Sequence, residues 1–468
     1  MLTYTLEKTP GVPLYEALYR CIREDILSGT LAAGEKLPSK RTLAANLKVS
    51  KITVEGAYNQ LLAEGYISAK EKVGYFVEQV TPVKKPAPVT QAATAETKQR
   101  IDLTANGSAG FPFSVWSKLQ RQVMLDLGQK LLLPLPNQGL PELRRAIANH
   151  LSAFRGMEVS EDNIFIGAGT DFLYNLLIQL LGRDICYGVE EPGYEKIRKI
   201  YTAGGVNWKS IPMDDQGVIP EMLLDANVLH ISPSHHFPTG IVTPMARRRA
   251  LLAWAEEQEN RYIIEDDYDS EFRFGLHPMP TMQSLDSKGK VIYMNTFSMT
   301  LAPSIRISYM ILPPALMEKF RQKLGFYSGT VPSFEQYTLA RFLQEGYFEK
   351  HLNRMRKFYK ARRNRVLSAI NGSEIAKAVT IEEADAGLHF ILRVKTRLSD
   401  EELVSWCEER GLRVRTLSSY YHQAVPEKAR HCLVLNYSGL QEEELSRLEE
   451  ILMTQGKEDK PKSSKKGC

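Results

Sequence analysis

Residues 79–100, QVTPVKKPAPVTQAATAETKQR, hold no leucine, isoleucine, methionine or aromatic side chain and show no apolar periodicity. Such a stretch cannot bury enough surface to offset the entropy of ordering it, so it reads as a flexible linker. The rest of the chain is thereby divided, and residues 1–78 and 101–455 must each close a core of their own. A coil of this length spans roughly 25 Å on average, enough for two domains to reorient. The last residues, 456–468 (GKEDKPKSSKKGC), are lysine-rich and nearly devoid of apolar side chains, and a disordered tail is expected there.

With 468 residues, 43% of them hydrophobic, the chain has ample material for a large second core. The N-terminus has no apolar signal-like run, and no stretch reaches the roughly 20 apolar residues that cross a bilayer. A cytoplasmic protein with no membrane partner is expected. The five cysteines are scattered, with no C-x-x-C pair, so reduced structural thiols are expected and no metal site. The net charge of +5 says little about partners. Its distribution says more, because Lys36, Lys40, Arg41, Lys48 and Lys51 fall in a span, 36–54, that contains no acid.

Before the linker, Pro13 opens a helix whose apolar positions Leu14, Leu18, Cys21, Ile22 and Ile26 keep helical spacing up to Gly29. Ser39 and Ser50 are placed to cap two shorter helices whose first turns carry cations. After Gly65, the alternating YISAKEKVGYFVE suits a two-stranded wing. The segment LPSKRTLAANLKVSKITVEGAYNQLLAEGYI resembles the core of the GntR-type winged helix-turn-helix along its whole length. The resemblance implies double-stranded operator DNA as partner. By it, Ser39 and Arg41 hold phosphates and Lys51 and Thr53 face the groove, with Ser50 capping the recognition helix, whose first turn favours a phosphate. Lys51 replaces the more usual arginine, which removes a bidentate fork on guanine.

Beyond the linker, the apolar runs NIFIGAG, DICYGV, NVLHIS, RYIIEDD and KVIYMNT alternate with helical patterns and read as buried strands of an α/β sheet. From about residue 312 the pattern turns helical, including a long charged helix near 347–370 placed to bridge two subdomains. Strands LHFILRV and CLVLNYS then mix with helices in a smaller α+β lobe. GAGTDFLYNLL takes a strand into a helix, so the amides at Gly169 and Thr170 form a phosphate cradle. RYIIEDDYDSEF puts acids at the end of a strand, where only alternate side chains share a site. His235 and His236, in SPSHHFPTG, lack a third metal ligand at useful spacing.

These segments, with PNQGLPELRRAIANHLSAFRG, EEPGY, NTFS-x-T-x-AP-x-x-R and AGLH, resemble in order the MocR/GabR-type regulators. In that family a GntR-type reader is fused to a fold type I, pyridoxal-phosphate-dependent aminotransferase-like domain. The resemblance implies a homodimer with a small-molecule effector. It also implies roles: Asp266 at the pyridinium nitrogen, Tyr268 at the phenolic oxygen, Tyr194 stacked on the ring, and Gly169, Thr170, Thr296, Ser298 and Arg306 at the phosphate. Arg415, in GLRVRTLSSYY, is the candidate anchor for a ligand carboxylate.

Where the family pattern reads FSK, this chain reads FSM, and Met299 occupies the position of the Schiff-base lysine. A thioether has no proton to shuttle and cannot form an imine. No lysine lies between Lys290 and Lys319 to replace it. Ordinary aminotransferase turnover is therefore expected to be absent, leaving three uses for the site. It holds pyridoxal 5'-phosphate non-covalently, it prefers pyridoxamine 5'-phosphate or a cofactor–amine adduct, or the fold serves only as a dimerisation scaffold. The competing reading is an active aminotransferase with an accessory DNA-binding module.

Overall fold

The computed structural model describes residues 4, 13–70, 73–80, 100–107, 110–272, 279–383 and 387–454. Most of the linker segment and the lysine-rich tail lie outside the described residues. The chain forms two compact units, Met1–Glu96 and Thr97–Cys468.

In the first unit, helix α1 (Leu14–Ser28) ends where Gly29 takes a left-handed φ of 80°. Helices α2 (Lys40–Leu47) and α3 (Lys51–Ala63) follow. Three short strands, β1 (Lys36–Leu37), β2 (Ile67–Lys70) and β3 (Gly74–Val77), pair antiparallel in the order β1-β3-β2. Leu18, Ile22 and Ile26 of α1 and Val54, Ala57, Tyr58 and Leu61 of α3 close one core with Leu43, Ile67 and Val77. The apolar spacing of the sequence is thus the packing face.

The second unit is built on an eight-stranded sheet. Its strands are β4 (Ile164–Gly167), β5 (Cys186–Glu191), β6 (Asn207–Asp214), β7 (Gly217–Val218), β8 (Val228–Ile231), β9 (Tyr262–Asp266), β10 (Val291–Thr296) and β11 (Ser308–Ile311). They lie in the order β4-β11-β10-β9-β8-β5-β6-β7, and β7 and β11 run against their neighbours. Both faces are covered. Ile164, Ile166, Tyr293 and Tyr309 point into one core, while Phe165, Ile292, Met294 and Met310 point into the other. That two-sided burial is why these strands read as continuous apolar runs.

A four-stranded antiparallel sheet forms the small lobe, with β12 (Val379–Glu382), β13 (His389–Val394), β14 (Arg415–Thr416) and β15 (Cys432–Asn436) in the order β12-β13-β15-β14. The 26-residue helix Tyr347–Gly372 joins the two parts. Its Phe348 and Leu352 enter the core of the large sheet, and its Met355, Tyr359, Val366 and Ile370 enter the core of the lobe. Among the described residues no cysteine is paired, and no helix is long and apolar enough to cross a membrane.

One buried histidine sets a pH dependence. His150 stacks on Phe154 at 5.3 Å and meets the edge of Phe348 at 5.0 Å. Burial, reinforced by Arg356, lowers its pKa to about 4. The unfolded chain therefore binds a proton below about pH 6.5 that the folded chain refuses, so stability is present at neutral pH and lost as pH falls. His150→Phe is expected to remove about 2 kcal/mol of the stability loss between pH 7 and pH 5. Urea melts at the two pH values check this, and an unchanged difference would count against it.

Candidate functional site

In the first unit, the serines expected near phosphates are committed to helix ends. Ser39 Oγ accepts the Thr42 amide at 3.1 Å, and Ser50 Oγ accepts the Thr53 amide at 3.1 Å. The Thr53 hydroxyl lies 2.8 Å from Ser50 Oγ, which turns it into the cap rather than outward. Arg41 and Lys51 are exposed. Among the described residues neither forms an ion pair. Lys40 bonds Glu55 of α3 at 2.7 Å and lies 5.5 Å from the Tyr75 ring centre, tying α2 to α3 and the wing. This bond holds the Glu55 carboxyl below the usual range.

In the second unit, the strand ends converge on a cavity of about 390 Å³. Of the residues expected at a cofactor, Thr170, Tyr194, Asp266, Tyr268, Thr296, Ser298 and Arg306 line it, as does Met299. Arg415 does not. Its side chain is exposed and lies 5.8 Å from the Tyr420 ring centre, because the short strand β14 turns it outward. The second cation on the wall is Arg198, buried and donating to the Tyr420 carbonyl at 3.1 Å.

The acids of the β9 end divide by alternation. Glu265 turns away from the cavity to accept the amides of Met282 and Gln283. Asp267 pairs with Arg155 at 2.9 Å and accepts the Tyr293 and Ser270 hydroxyls at 2.7 and 2.8 Å. Asp266 faces the cavity, with Oδ2 taken by the Tyr174 hydroxyl and Oδ1 buried without a partner. His230 stands 3.6 Å from Asp266 and is held by the Tyr201 hydroxyl at 2.8 Å. The parallel register opposes His230 to Ile264, two residues before Asp266, so both side chains emerge on one face.

Sequence reasoning missed His230, as well as Glu190, Asp269, His389 and Asn436, all on the cavity wall. The lone histidine inside the apolar run NVLHIS was a signal for His230, and Glu190, Asp269 and His389 lie in the segments EEPGY, RYIIEDDYDSEF and AGLH without having been singled out. Glu190 is pushed well above the carboxylate range by burial, and burial likewise holds Tyr268 well above its ordinary value, so its hydroxyl remains a donor. His235 bonds Asp269 at 2.8 Å and His236 bonds Thr239 at 2.7 Å. Among the described residues no group of three or more such side chains is placed to hold a metal ion.

At the other end, the helix Thr170–Leu181 starts from Gly169, whose φ is 92°. A Cβ on Gly169 would lie 2.3 Å from the Arg306 guanidinium, so only glycine lets that cation close in. Asp171 is drawn aside by Lys196 at 2.7 Å and Arg306 at 3.3 Å, and it does not line the cavity. Met299 is half-buried against the lobe core. No lysine is among the described residues that line the cavity.

The profile of bacterial regulatory proteins of the gntR family matches residues 14–77, and that of class I and II aminotransferases matches residues 98–452. The HTH-type transcriptional regulator YdeL of Bacillus subtilis is 38% identical over 95% of this chain and 97% of its own length. The probable rhizopine catabolism regulatory protein MocR of Rhizobium meliloti is 33% identical, with 93% and 92% covered. This chain belongs to the MocR-type regulators of the gntR family. An archaeal alanine:glyoxylate aminotransferase matches the regulator's fold with a TM-score of 0.66 at 24% identity, over 75% of this chain and 90% of that one.

That fold implies a cofactor of the pyridoxal-phosphate family. The residues present fit one: an unpartnered buried carboxylate oxygen for a ring nitrogen, a protonated phenol for a phenolic oxygen, and a helix N-terminus with Arg306 for a phosphate.

Proposed function

We propose that this regulator reads operator DNA with its first unit and that its second unit senses a vitamin B6 compound, an amino compound or their adduct, held without a covalent bond. One combination supports this above all. The cavity keeps a polar partner for each end of the cofactor, while Met299 stands where the FSK pattern has its lysine. Thr170, Thr296, Ser298 and Arg306, with the amide at Thr170, would hold the phosphate, whereas the Gly169 amide expected beside them donates to the Gly167 carbonyl at 2.8 Å. Asp266 would accept a hydrogen bond from the protonated ring nitrogen, Tyr268 would donate to the phenolic oxygen, and Tyr194, 47% exposed at the mouth, would cover the ring.

When bound, the group supplies an electron sink. Among the described residues the cavity wall offers no amine to fix an aldehyde, and a thioether moves no proton. Arg198, which lines the cavity and also pairs with Glu191 at 3.7 Å, would meet a ligand carboxylate there in place of Arg415.

The regulator would act as a homodimer. In support, Met124, Leu125, Leu132 and Leu133 are exposed at the end of one helix and the turn after it, and Phe326 is exposed too, large apolar side chains that a second copy would cover. A ligand that favours one arrangement of the paired second units would bias the placement of the DNA readers. Acting on DNA supports a cytoplasmic location.

In equilibrium titrations, pyridoxal phosphate and pyridoxamine phosphate are each expected to bind the full chain reversibly and to change its affinity for operator DNA. Asp266→Asn is expected to weaken binding by roughly tenfold or more, the loss of one charge-assisted hydrogen bond. Conversion of amino acid to keto acid that Asp266→Asn abolishes would overturn the proposal in favour of an enzyme. Binding of neither compound would leave only the scaffold role.

A further inference from the structure

The first turn of α3 carries an apolar side chain that the protein's own packing does not explain. Ile52 is 79% exposed. The buried positions of α3 are Val54, Ala57, Tyr58 and Leu61, which form one stripe, and at 3.6 residues per turn Ile52 falls on the side opposite to it. A β-branched residue gains nothing there as a helix former, since its χ1 is restricted and its methyl groups stay in water. Its neighbours are otherwise engaged or charged. Ser50 and Thr53 close the cap, Glu55 is held by Lys40, and Lys51 is an exposed cation.

In a helix-turn-helix module, the N-terminal residues of the second helix, on the face away from the core, meet base edges in the major groove. Of the groups displayed on that groove floor, only the thymine C5-methyl is apolar. We propose that Ile52 is a specificity-determining residue of this regulator that reads the C5-methyl of a thymine. The inference rests on the DNA-reading role of the first unit and adds to it a base and an atom. It also accounts for how a chain with Lys51 in place of arginine retains base discrimination, because the apolar contact supplies what the lost bidentate fork does not.

The test begins with selection of preferred sites by the full-length protein from a randomised duplex library. Each thymine of the selected site is then replaced by deoxyuridine, which removes one methyl and nothing else. Replacement of one thymine per half-site is expected to weaken binding about fourfold, the value of one buried methyl-sized group. In Ile52→Ala the same replacement should have no further effect, and Ile52→Asn should shift selection at that position toward adenine, whose N6 and N7 an amide can bond. Unchanged thermal melting of both variants shows that they fold. The proposal is overturned if no thymine methyl affects binding, or if the deoxyuridine penalty persists in Ile52→Ala. If selection returns no preferred sequence at all, the DNA-reading role itself fails, which is a distinguishable result.

Discussion

In Met299→Lys, pyridoxal phosphate is expected to remain with the chain through denaturation after borohydride reduction, approaching one equivalent, where the unaltered protein retains none. Met299 lies on the cavity wall and is half-buried against the lobe core. A lysine has a stem of similar length and fits without enlarging the site. Partial burial disfavours its charged form and leaves the amine a better nucleophile. Pyridoxamine phosphate has no aldehyde and should wash out of both proteins, which makes it the control. Mass spectrometry of the reduced, denatured chain reads the result directly. Failure of the variant to retain any label, while the parent binds reversibly, would mean that Met299 does not face the cofactor's reactive carbon.

The second large effect concerns stability. Arg155 and Asp267 form an ion pair with side chains 3% and 0% exposed. Arg155→Ala should cost about 3–5 kcal/mol, because it strands a buried carboxylate. The arginine, together with the Tyr293, Ser234 and Ser270 hydroxyls, holds the Asp267 pKa below its ordinary value against burial. A depressed carboxylate contributes stability above the unfolded pKa near 3.9 and loses it as pH falls through the folded one. The variant should therefore lose most at neutral pH and least in acid. Denaturant melts measure this, and Arg155→Leu combined with Asp267→Asn should recover much of the loss. A cost below about 1 kcal/mol would show that water reaches the pair. The residue next to Asp267 is Asp266, so a weakened anchor should also loosen the cavity carboxylate.

Local features were legible in the sequence because they depend on neighbours along the chain. The Ser39 and Ser50 caps, the end of α1 at Gly29 and the buried strands all follow from spacing and residue type. The division of acids at the β9 end was legible for the same reason, since alternation needs no knowledge of the partner strand. What escaped depends on distant register. His230 meets Asp266 only because β8 and β9 pair as they do, and Asn436 reaches the cavity from the far lobe. Strand β11 escaped because a four-residue apolar run beside a motif does not announce its own direction. Arg415 is exposed beside Tyr420 rather than on the cavity wall, and the Thr53 hydroxyl meets the cap because a hydroxyl at the start of a helix serves the cap as readily as DNA.

The helix Tyr347–Gly372 is rooted at one end in the core of the large sheet and at the other in the core of the lobe. At 1.5 Å per residue it is about 39 Å long, so a tilt of about 5° about its first turn sweeps the far end through about 3 Å. Met299, on the cavity wall, packs against the lobe core to which this rod contributes Met355, Tyr359, Val366 and Ile370. The regulator thus contains a stiff pointer whose pivot lies at the sheet and whose tip travels with the lobe. A small molecule that wedges or draws in the cavity wall would be converted into a displacement larger than itself, with no hinge loop required.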